Sequence, residues 1–225
     1  MLFLGVGILI GMRHALEADH LAAVVALSTR ARGRLATMLR GAAWGLGHTT
    51  ALLVVGGVCL AFGTSVSETS GQWLERGVGV MLIVLGAQVF VRLRRHHVHV
   101  HVHAHAGGVT HVHAHRHLPT EVDGEGHRHP HASRSHLGAA LVGTVHGMAG
   151  SAALVVLTSA TSVSFWSGLA YIACFGVGSM VGMAALSLAL SVPLEFSARR
   201  LAHAYGLIEI PVAVVTVALG LWMVR

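Results

Sequence analysis

Two histidines and two carboxylates stand within seven residues of one another near the start of the chain: His14, Glu17, Asp19 and His20. Neutral imidazole suits nickel, cobalt, copper and zinc, whereas carboxylates alone suit magnesium or calcium. A carboxylate beside a metal-bound histidine commonly holds the ring in one tautomer. These residue types therefore predict a transition-metal site, with Asp19 or Glu17 acting either as a ligand or as the partner of a ligand.

Apolar residues surround this group, from Leu2 to Met12 before it and from Leu21 to Leu27 after it. The whole chain is 54% hydrophobic and 11% charged, whereas soluble domains carry about 25% charged residues. This deficit indicates that lipid is the solvent. A charge at the bilayer centre costs at least about 2.5–3.5 kcal/mol, so several polar residues together require a specific gain, which favours a functional site over simple packing.

The apolar stretches predict an all-α membrane protein with six transmembrane helices. A hydrocarbon core about 30 Å thick requires about 20 mostly apolar residues per helix. Six stretches of the sequence meet this requirement. We place the spans at residues 2–28, 38–62, 74–93, 137–159, 167–191 and 204–224.

The 15 basic residues are all arginines, and most of them fall in the loops after the first, third and fifth spans. Basic loops remain on the cytoplasmic side of a membrane. Six spans with both termini outside therefore fit the charges, and the net charge of +6 does not indicate nucleic-acid binding. We expect a multi-pass protein of the cell membrane.

The two halves of the sequence resemble each other at offsets of 130 to 134 residues. Three spans per half is an odd number, so the halves insert with opposite orientation, as in many transporters whose site lies between inverted repeats. We therefore predict a 3+3 inverted-repeat bundle. Its parts are a first repeat at 1–93, a histidine-rich cytoplasmic loop at 94–136 and a second repeat at 137–225. The matching pairs are His14 with His146, Gly45-Leu-Gly-His48 with Gly176-Val-Gly-Ser179, and Val84–Arg92 with Ala218–Arg225.

A straight first helix cannot complete the site alone. His14 and His20 would lie about 9 Å apart along the axis and about 120° apart around it. Either the helix is unwound at this point, as at many transporter sites, or other helices supply ligands. The natural partners are His48 in the second span and His146 in the fourth. Packing and proton transfer remain alternative roles for these histidines, and packing is the simplest interpretation of His203 and Glu209.

Fourteen of the 19 histidines lie between His96 and His136. Histidines alternate with valine or alanine from His97 to His105, a period that would place them on one face of a strand. Gly, Pro and polar residues follow, so we expect the loop to be disordered. Histidine-rich tracts bind metals by composition, and this one would buffer, sense or deliver the ion.

The run from Arg13 to His20 resembles the signature of the nickel/cobalt transporter family, a histidine, four residues and then Asp-His. Leu46-Gly-His-Thr-Thr50 is similar to the second signature of that family. Val145-His-Gly-Met-Ala-Gly-Ser151 is similar to a segment of the related six-helix urease accessory membrane proteins. Many members of the family have eight spans with the signature on the second, whereas here it lies on the first of six.

The resemblance implies a nickel or cobalt permease in which His14, Asp19, His20 and His48 line the metal path. We expect a secondary transporter that imports the ion for metalloenzymes, with urease or hydrogenase maturation proteins as partners. The ion is cargo, and we expect no cofactor. The alternatives are an efflux protein and a membrane metal sensor or chaperone without transport. No His-Glu-x-x-His motif, nucleophile–base pair or nucleotide-binding loop occurs, so we do not expect an enzyme.

Overall fold

The structure, a computed structural model, describes residues 2–28, 34–95, 99–104, 110–115, 136–149, 164–200 and 205–225. The helices are numbered α1 to α7, with the described part of α5 at residues 136–149. The other bounds are α1 Leu2–His14, α2 Ala18–Ser28, α3 Arg34–Phe62, α4 Glu68–Arg95, α6 Phe165–Arg200 and α7 Tyr205–Val224.

Three of the described helices are long and apolar enough to cross a membrane: Arg34–Phe62, Glu68–Val91 and Phe165–Val192. The prediction of a helical membrane protein is therefore confirmed at this level. Shorter apolar helices cover Leu4–His14, Ala18–Leu27 and Ile210–Val224. Residues 150–159 of the fourth predicted span lie outside the described residues, so the count of six spans and the placement of the termini stay predictions.

The first predicted span is divided in two. Helix α1 ends at His14, residues 15–17 form a turn, and α2 begins at Ala18. In the turn the amide of Leu16 bonds to the carbonyl of Arg13 at 2.9 Å, and the amide of Glu17 bonds to that of His14 at 3.0 Å. These i→i+3 bonds tighten the end of α1. The spacing of His14 and His20 left an unwound helix as one of two alternatives, and the structure shows the helix interrupted at residues 15–17.

Helix α6 packs against both α1 and α3, and α4 packs against α7, while α2 lies beside α3, α4, α6 and α7. The largest buried cluster joins α2 to α4, α6 and α7, with members such as Val24, Leu82, Met183 and Ala213. A short helix with many neighbours is held by tertiary packing rather than by its own length. The core therefore holds α2, and with it Asp19 and His20, in a fixed position.

Close helix contacts occur in pairs that mirror each other between the two halves. A side chain at Gly11 would overlap the carbonyl of Phe175, and one at Gly143 would overlap the carbonyl of Trp44. Gly143 lies 132 positions after Gly11, and Phe175 lies 131 after Trp44. Such contacts of small residues let membrane helices approach closely. The glycine and the carbonyl thus exchange halves between the two contacts. Their offsets of 132 and 131 residues match the offsets of the predicted repeat.

A second and a third mirrored pair have the same property. Gly47 abuts the carbonyl of Ala140, and Gly178 abuts that of Ile8. Between α4 and α7, the Gly220 position faces the carbonyl of Gly79 while the Gly86 position faces that of Ala213. In three helix pairs, a glycine of each half thus packs against a backbone carbonyl of the other half. These contacts support the predicted repeat, which stays a prediction.

Two strands occur in the part of the histidine-rich loop that the structure describes. Strands β1 (His99–Ala104) and β2 (Thr110–His115) pair in an antiparallel hairpin. The physical reason is the period-two alternation of histidine with β-branched or small residues, which fits a strand. The expected disorder of the loop stays a prediction, because most of residues 94–136 lie outside the described residues. Three register positions set one histidine opposite another: His99 with His115, His101 with His113, and His103 with His111.

Candidate metal centre

Four histidines from separate segments converge at the break in the first span. His14 ends α1, His20 lies in the first turn of α2, His48 lies in α3 and His146 lies in α5. The ring centroids of His14 and His20 are 4.3 Å apart, and those of His20 and His146 are 4.1 Å apart. The ring of His48 lies 5.4 Å from those of both His14 and His20. The break allows this convergence because α2 no longer continues the axis of α1.

The Asp19 carboxylate joins two of the rings. One oxygen accepts a hydrogen bond from Nδ1 of His20 at 3.0 Å, and the other accepts one from Nε2 of His146 at 2.9 Å. The first oxygen also accepts the backbone amide of His20 at 2.9 Å. A carboxylate only accepts hydrogen bonds, so each ring nitrogen that faces Asp19 is a donor. Asp19 thereby fixes the tautomers of both imidazoles.

Glu17 plays the corresponding part for His14. Its Oε1 lies 3.0 Å from Nδ1 of His14, and its side chain is 58% exposed while that of His14 is 16% exposed. Nδ1 of His14 therefore donates, and Nε2 carries the lone pair in the neutral ring. The turn at residues 15–17 places this carboxylate at the outer side of the cluster, where it bonds to the most accessible histidine.

Several ring nitrogens have no hydrogen-bond partner among the described residues: Nε2 of His14, Nε2 of His20, both nitrogens of His48 and Nδ1 of His146. An unpaired buried polar atom costs about 1–3 kcal/mol, and native proteins contain few of them. His20 and His48 are both almost completely buried. Unpaired nitrogens gathered in one small region are the arrangement expected of metal ligands.

The ligand atoms form two groups of three. His14, His20 and His48 offer one nitrogen each within 4.8 Å of one another, and Asp19, His20 and His146 offer one ligand atom each within the same limit. His20 belongs to both groups. The structure thus brings together all six residues predicted from the sequence, since Glu17 bonds to His14. Their role in metal binding stays a prediction.

Two buried residues of α3 were not predicted, and one of them, Trp44, lies against the cluster. Trp44 is fully buried, and its ring lies 5.4 Å from that of His20 and 5.6 Å from that of His146. Arg40 is 8% exposed, and its Nη1 donates to the carbonyl of Leu27 at 3.0 Å. Trp44 precedes His48 by four residues and Arg40 precedes it by eight, so all three lie on nearly the same face of α3. That spacing was the signal available in the sequence.

Other sequence candidates lie elsewhere. His203 falls outside the described residues, and Glu209 lies in α7. Cys59 and Cys174 are free cysteines in α3 and α6, and neither belongs to the two ligand groups found among the described residues. The cluster therefore offers nitrogen and oxygen donors without thiolate, which suits a borderline divalent ion.

Comparison with known proteins gives two similarities. The model of a family described as cytochrome c biogenesis protein transmembrane region matches residues 20–222, which include His20, His48 and His146. The urease accessory protein UreH of Bacillus sp. (strain TB-90) is 29% identical over 198 residues, covering 88% of this chain and 80% of the relative. The second similarity supports the urease accessory branch suggested by the motifs. No solved structure matches the chain significantly.

Proposed function

The chain belongs to the family of cytochrome c biogenesis protein transmembrane regions, and from this premise we propose that it is a membrane transporter of nickel or cobalt ions. We further propose that it imports the ion and resides in the cell membrane. The name of the relative, a urease accessory protein, supports a link to urease maturation. Hydrogenase maturation proteins are the second class of partner that the sequence resemblance implies.

One observation carries this proposal. Three imidazole rings, those of His14, His20 and His48, present unpaired nitrogens to one another in the interior of a helical membrane protein. Polar groups at this depth are costly and mark the path of a substrate or ion. Two carboxylates hold the outer nitrogens of His14 and His20, as carboxylates do behind metal-bound histidines.

The donor set narrows the substrate. Three nitrogen donors with carboxylates behind them favour nickel, cobalt, zinc or copper over magnesium, calcium and manganese. Among these, the motif from His14 to His20 and the urease accessory relative favour nickel. Competition of nickel uptake by cobalt, zinc, copper and manganese ranks the ions directly, and strong competition by manganese alone would contradict the nitrogen site.

The decisive experiment measures accumulation of radioactive nickel in cells that express the protein. We expect the wild type to accumulate nickel and the H14A variant to fall to the level of cells without the protein. The matched control is H136A, which removes a histidine at the start of α5, outside both ligand groups. Full accumulation by H14A, or equal losses in both variants, would contradict the assigned site.

Whether expression of the protein raises or lowers cellular nickel separates import from export. Reduced cellular nickel on expression, with increased tolerance, would indicate export. Purified protein in liposomes that binds nickel without any flux would indicate a sensor or chaperone. These outcomes replace the import proposal while keeping the metal site, so the site and the direction of transport are tested independently.

The histidine-rich hairpin supports a capture role on one side of the membrane. Its register sets three histidine pairs opposite one another, and residues directly opposite in an antiparallel pair are neighbours. We propose that residues 97–115 collect the ion rather than select it. Deleting this segment should lower uptake at scarce nickel and leave uptake at abundant nickel unchanged. A loss at all concentrations would contradict capture as the role of the loop.

A further inference from the structure

We infer that the cluster provides two positions for one ion, which share His20 and are occupied in succession during transport. The resting position is formed by His14, His20 and His48, and the transfer position by Asp19, His20 and His146. This inference rests on the proposed function, because succession requires an ion that moves. It adds a specific role for His146, the one cluster member from the second half of the chain.

The resting position is open in the structure. Nε2 of His14, Nε2 of His20 and both nitrogens of His48 have no hydrogen-bond partner among the described residues. Because Nδ1 of His14 and of His20 each donate to a carboxylate, the lone pairs of the neutral rings lie on the unpaired nitrogens. An ion entering this position displaces no protein hydrogen bond.

The transfer position is closed in the same state. Both Asp19 oxygens are engaged, one with His20 at 3.0 Å and one with His146 at 2.9 Å. These hydrogen bonds must open, and the proton on each facing ring nitrogen must pass to the unpaired nitrogen of the same ring, before the carboxylate and the two rings can hold an ion. The two positions therefore differ in their hydrogen bonding, although the ligand atoms of each lie within 4.8 Å of one another.

The shared residue makes occupancy exclusive. One imidazole belongs to both groups, and the rings of His14 and His146 lie 4.3 Å and 4.1 Å from that of His20. Two doubly charged ions at so short a range repel each other strongly in a protein interior. One ion therefore moves between the positions, and the protein binds one nickel ion per cluster.

The hydrogen bonds of the ligands give the order of use. Each resting ligand has a ring nitrogen without a partner among the described residues, whereas Asp19 holds His146 by a hydrogen bond of 2.9 Å. The exposed fractions do not separate the two positions, because His14 is 16% exposed and Asp19 is 23% exposed. The ion therefore reaches the resting position first, and His146 receives it second.

The test compares two buried histidines of different positions. The variants H146L and H48L each remove one imidazole from a fully buried site and are examined as full-length protein in liposomes or nanodiscs, with nickel as the probe. A partner behind a metal ligand is worth about 10–100-fold in affinity. Because His146 stands one step further from the resting ion, H146L should change the nickel Kd by less than about tenfold.

The same variant should nevertheless lose transport. H48L should lose both nickel binding and transport, whereas H146L should bind and fail to transport. The visible spectrum of bound cobalt provides a second readout, because it reports the donors around the ion. It should change in H48L and remain that of the wild type in H146L. The variant H146Q, which retains an N–H donor toward Asp19, should behave as H146L does and guards against misfolding of the leucine variant.

Two results would overturn the inference. Equal loss of nickel affinity in H146L, H146Q and H48L would show a single site with His146 as a resting ligand. Normal transport by H146L would show that the second position is not used. Failure of the proposed function is distinguishable, because it appears as absence of flux in the wild type. The binding and cobalt spectra would then still decide whether His146 holds the resting ion.

Discussion

His48 and Ser179 occupy corresponding positions in the two halves, but their side chains differ in hydrogen bonding. Both are completely buried, on α3 and α6, in the matching runs Gly45-Leu-Gly-His and Gly176-Val-Gly-Ser. Neither nitrogen of His48 has a partner among the described residues, while the hydroxyl of Ser179 donates to the carbonyl of Gly11 at 3.1 Å. One position keeps its polar atoms available for a ligand, and the other uses its polar atom to support the backbone.

The surrounding packing is the same in both halves, which gives the difference its meaning. Gly47 and Gly178, each one residue before the compared side chains, both abut a carbonyl of the opposite half. The glycine contacts therefore repeat while the chemistry does not. The first half supplies His14, Asp19, His20 and His48 to the cluster, and the second half supplies His146. The glycine contacts and the ligand set are thus separable, and four sets of variants test this separation.

The largest effect is expected where the packing repeats. G11V and G143V each force a side chain into a carbonyl of a neighbouring helix, so each should destabilise the fold by about 3 kcal/mol or more. Thermal unfolding in detergent and the yield of monodisperse protein measure this. The control G138V lies on α5 with open space around it and should remain near wild type. If only one of G11V and G143V lowered the stability, the two glycine contacts would not be equivalent.

At His48 and Ser179 we expect smaller changes in stability than at the glycines. At His48 we also expect a large loss of nickel affinity. H48A should weaken nickel binding by more than about 100-fold, since ligands matter more than the partners behind them. S179A loses one hydrogen bond worth about 1 kcal/mol and should bind nickel within a few-fold of wild type. Isothermal titration of both variants checks this. Similar losses of affinity would mean that the two halves contribute equally to the site.

Arg40 tests whether the first half needs its buried charge. R40M removes the hydrogen bond to the carbonyl of Leu27 near the end of α2, and bonds of charged groups are worth about 1.5–3 kcal/mol. We expect lower thermal stability by that amount, with partial recovery in R40K. R34M, at the exposed first residue of α3, should change stability by less than about 0.5 kcal/mol. A stable R40M would exclude a role in holding α2.

Thr49 gives the smallest effect, at the crossing of α3 and α6. Its hydroxyl oxygen lies 2.8 Å from the carbonyl of Gly45 and 2.9 Å from that of Gly176, and its single proton is shared between these two acceptors. T49V keeps the shape and should lose about 1 kcal/mol. T50V is the control, because the Thr50 hydroxyl bonds to Leu46 of its own helix. Equal stability of the two variants would show that the bond between helices contributes nothing.

The cluster was predictable because local geometry and chemistry are enough to indicate it. A straight helix cannot bring His14 and His20 to one ion, and that conflict predicted either a break in the helix or ligands from other helices, with His48 and His146 as the natural partners. The bond between Asp19 and His146 was not predictable, since it depends on how α5 meets α2. Trp44 and Arg40 were missed for the same reason, because a buried neighbour is defined by tertiary packing.

The hairpin depends on a second kind of local signal. Histidine alternates with valine or alanine in His99–Ala104 and Thr110–His115, and the two segments pair as strands. This pairing needs only a matched register over six positions. Membrane-spanning helices were the easiest prediction, since the cost of unsatisfied backbone groups in lipid leaves few alternatives to a helix.

The contacts between glycines and carbonyls also restrict how this chain can diverge over generations. Gly11 and Gly143 face carbonyls, and a carbonyl is present whatever residue carries it. No compensating substitution on the partner helix can therefore make room for a larger side chain at either glycine. Divergence is open to the polar residues between them, which have no such backbone restriction. A scaffold of this kind preserves the glycines at its helix contacts while its polar side chains are free to change from one descendant to the next.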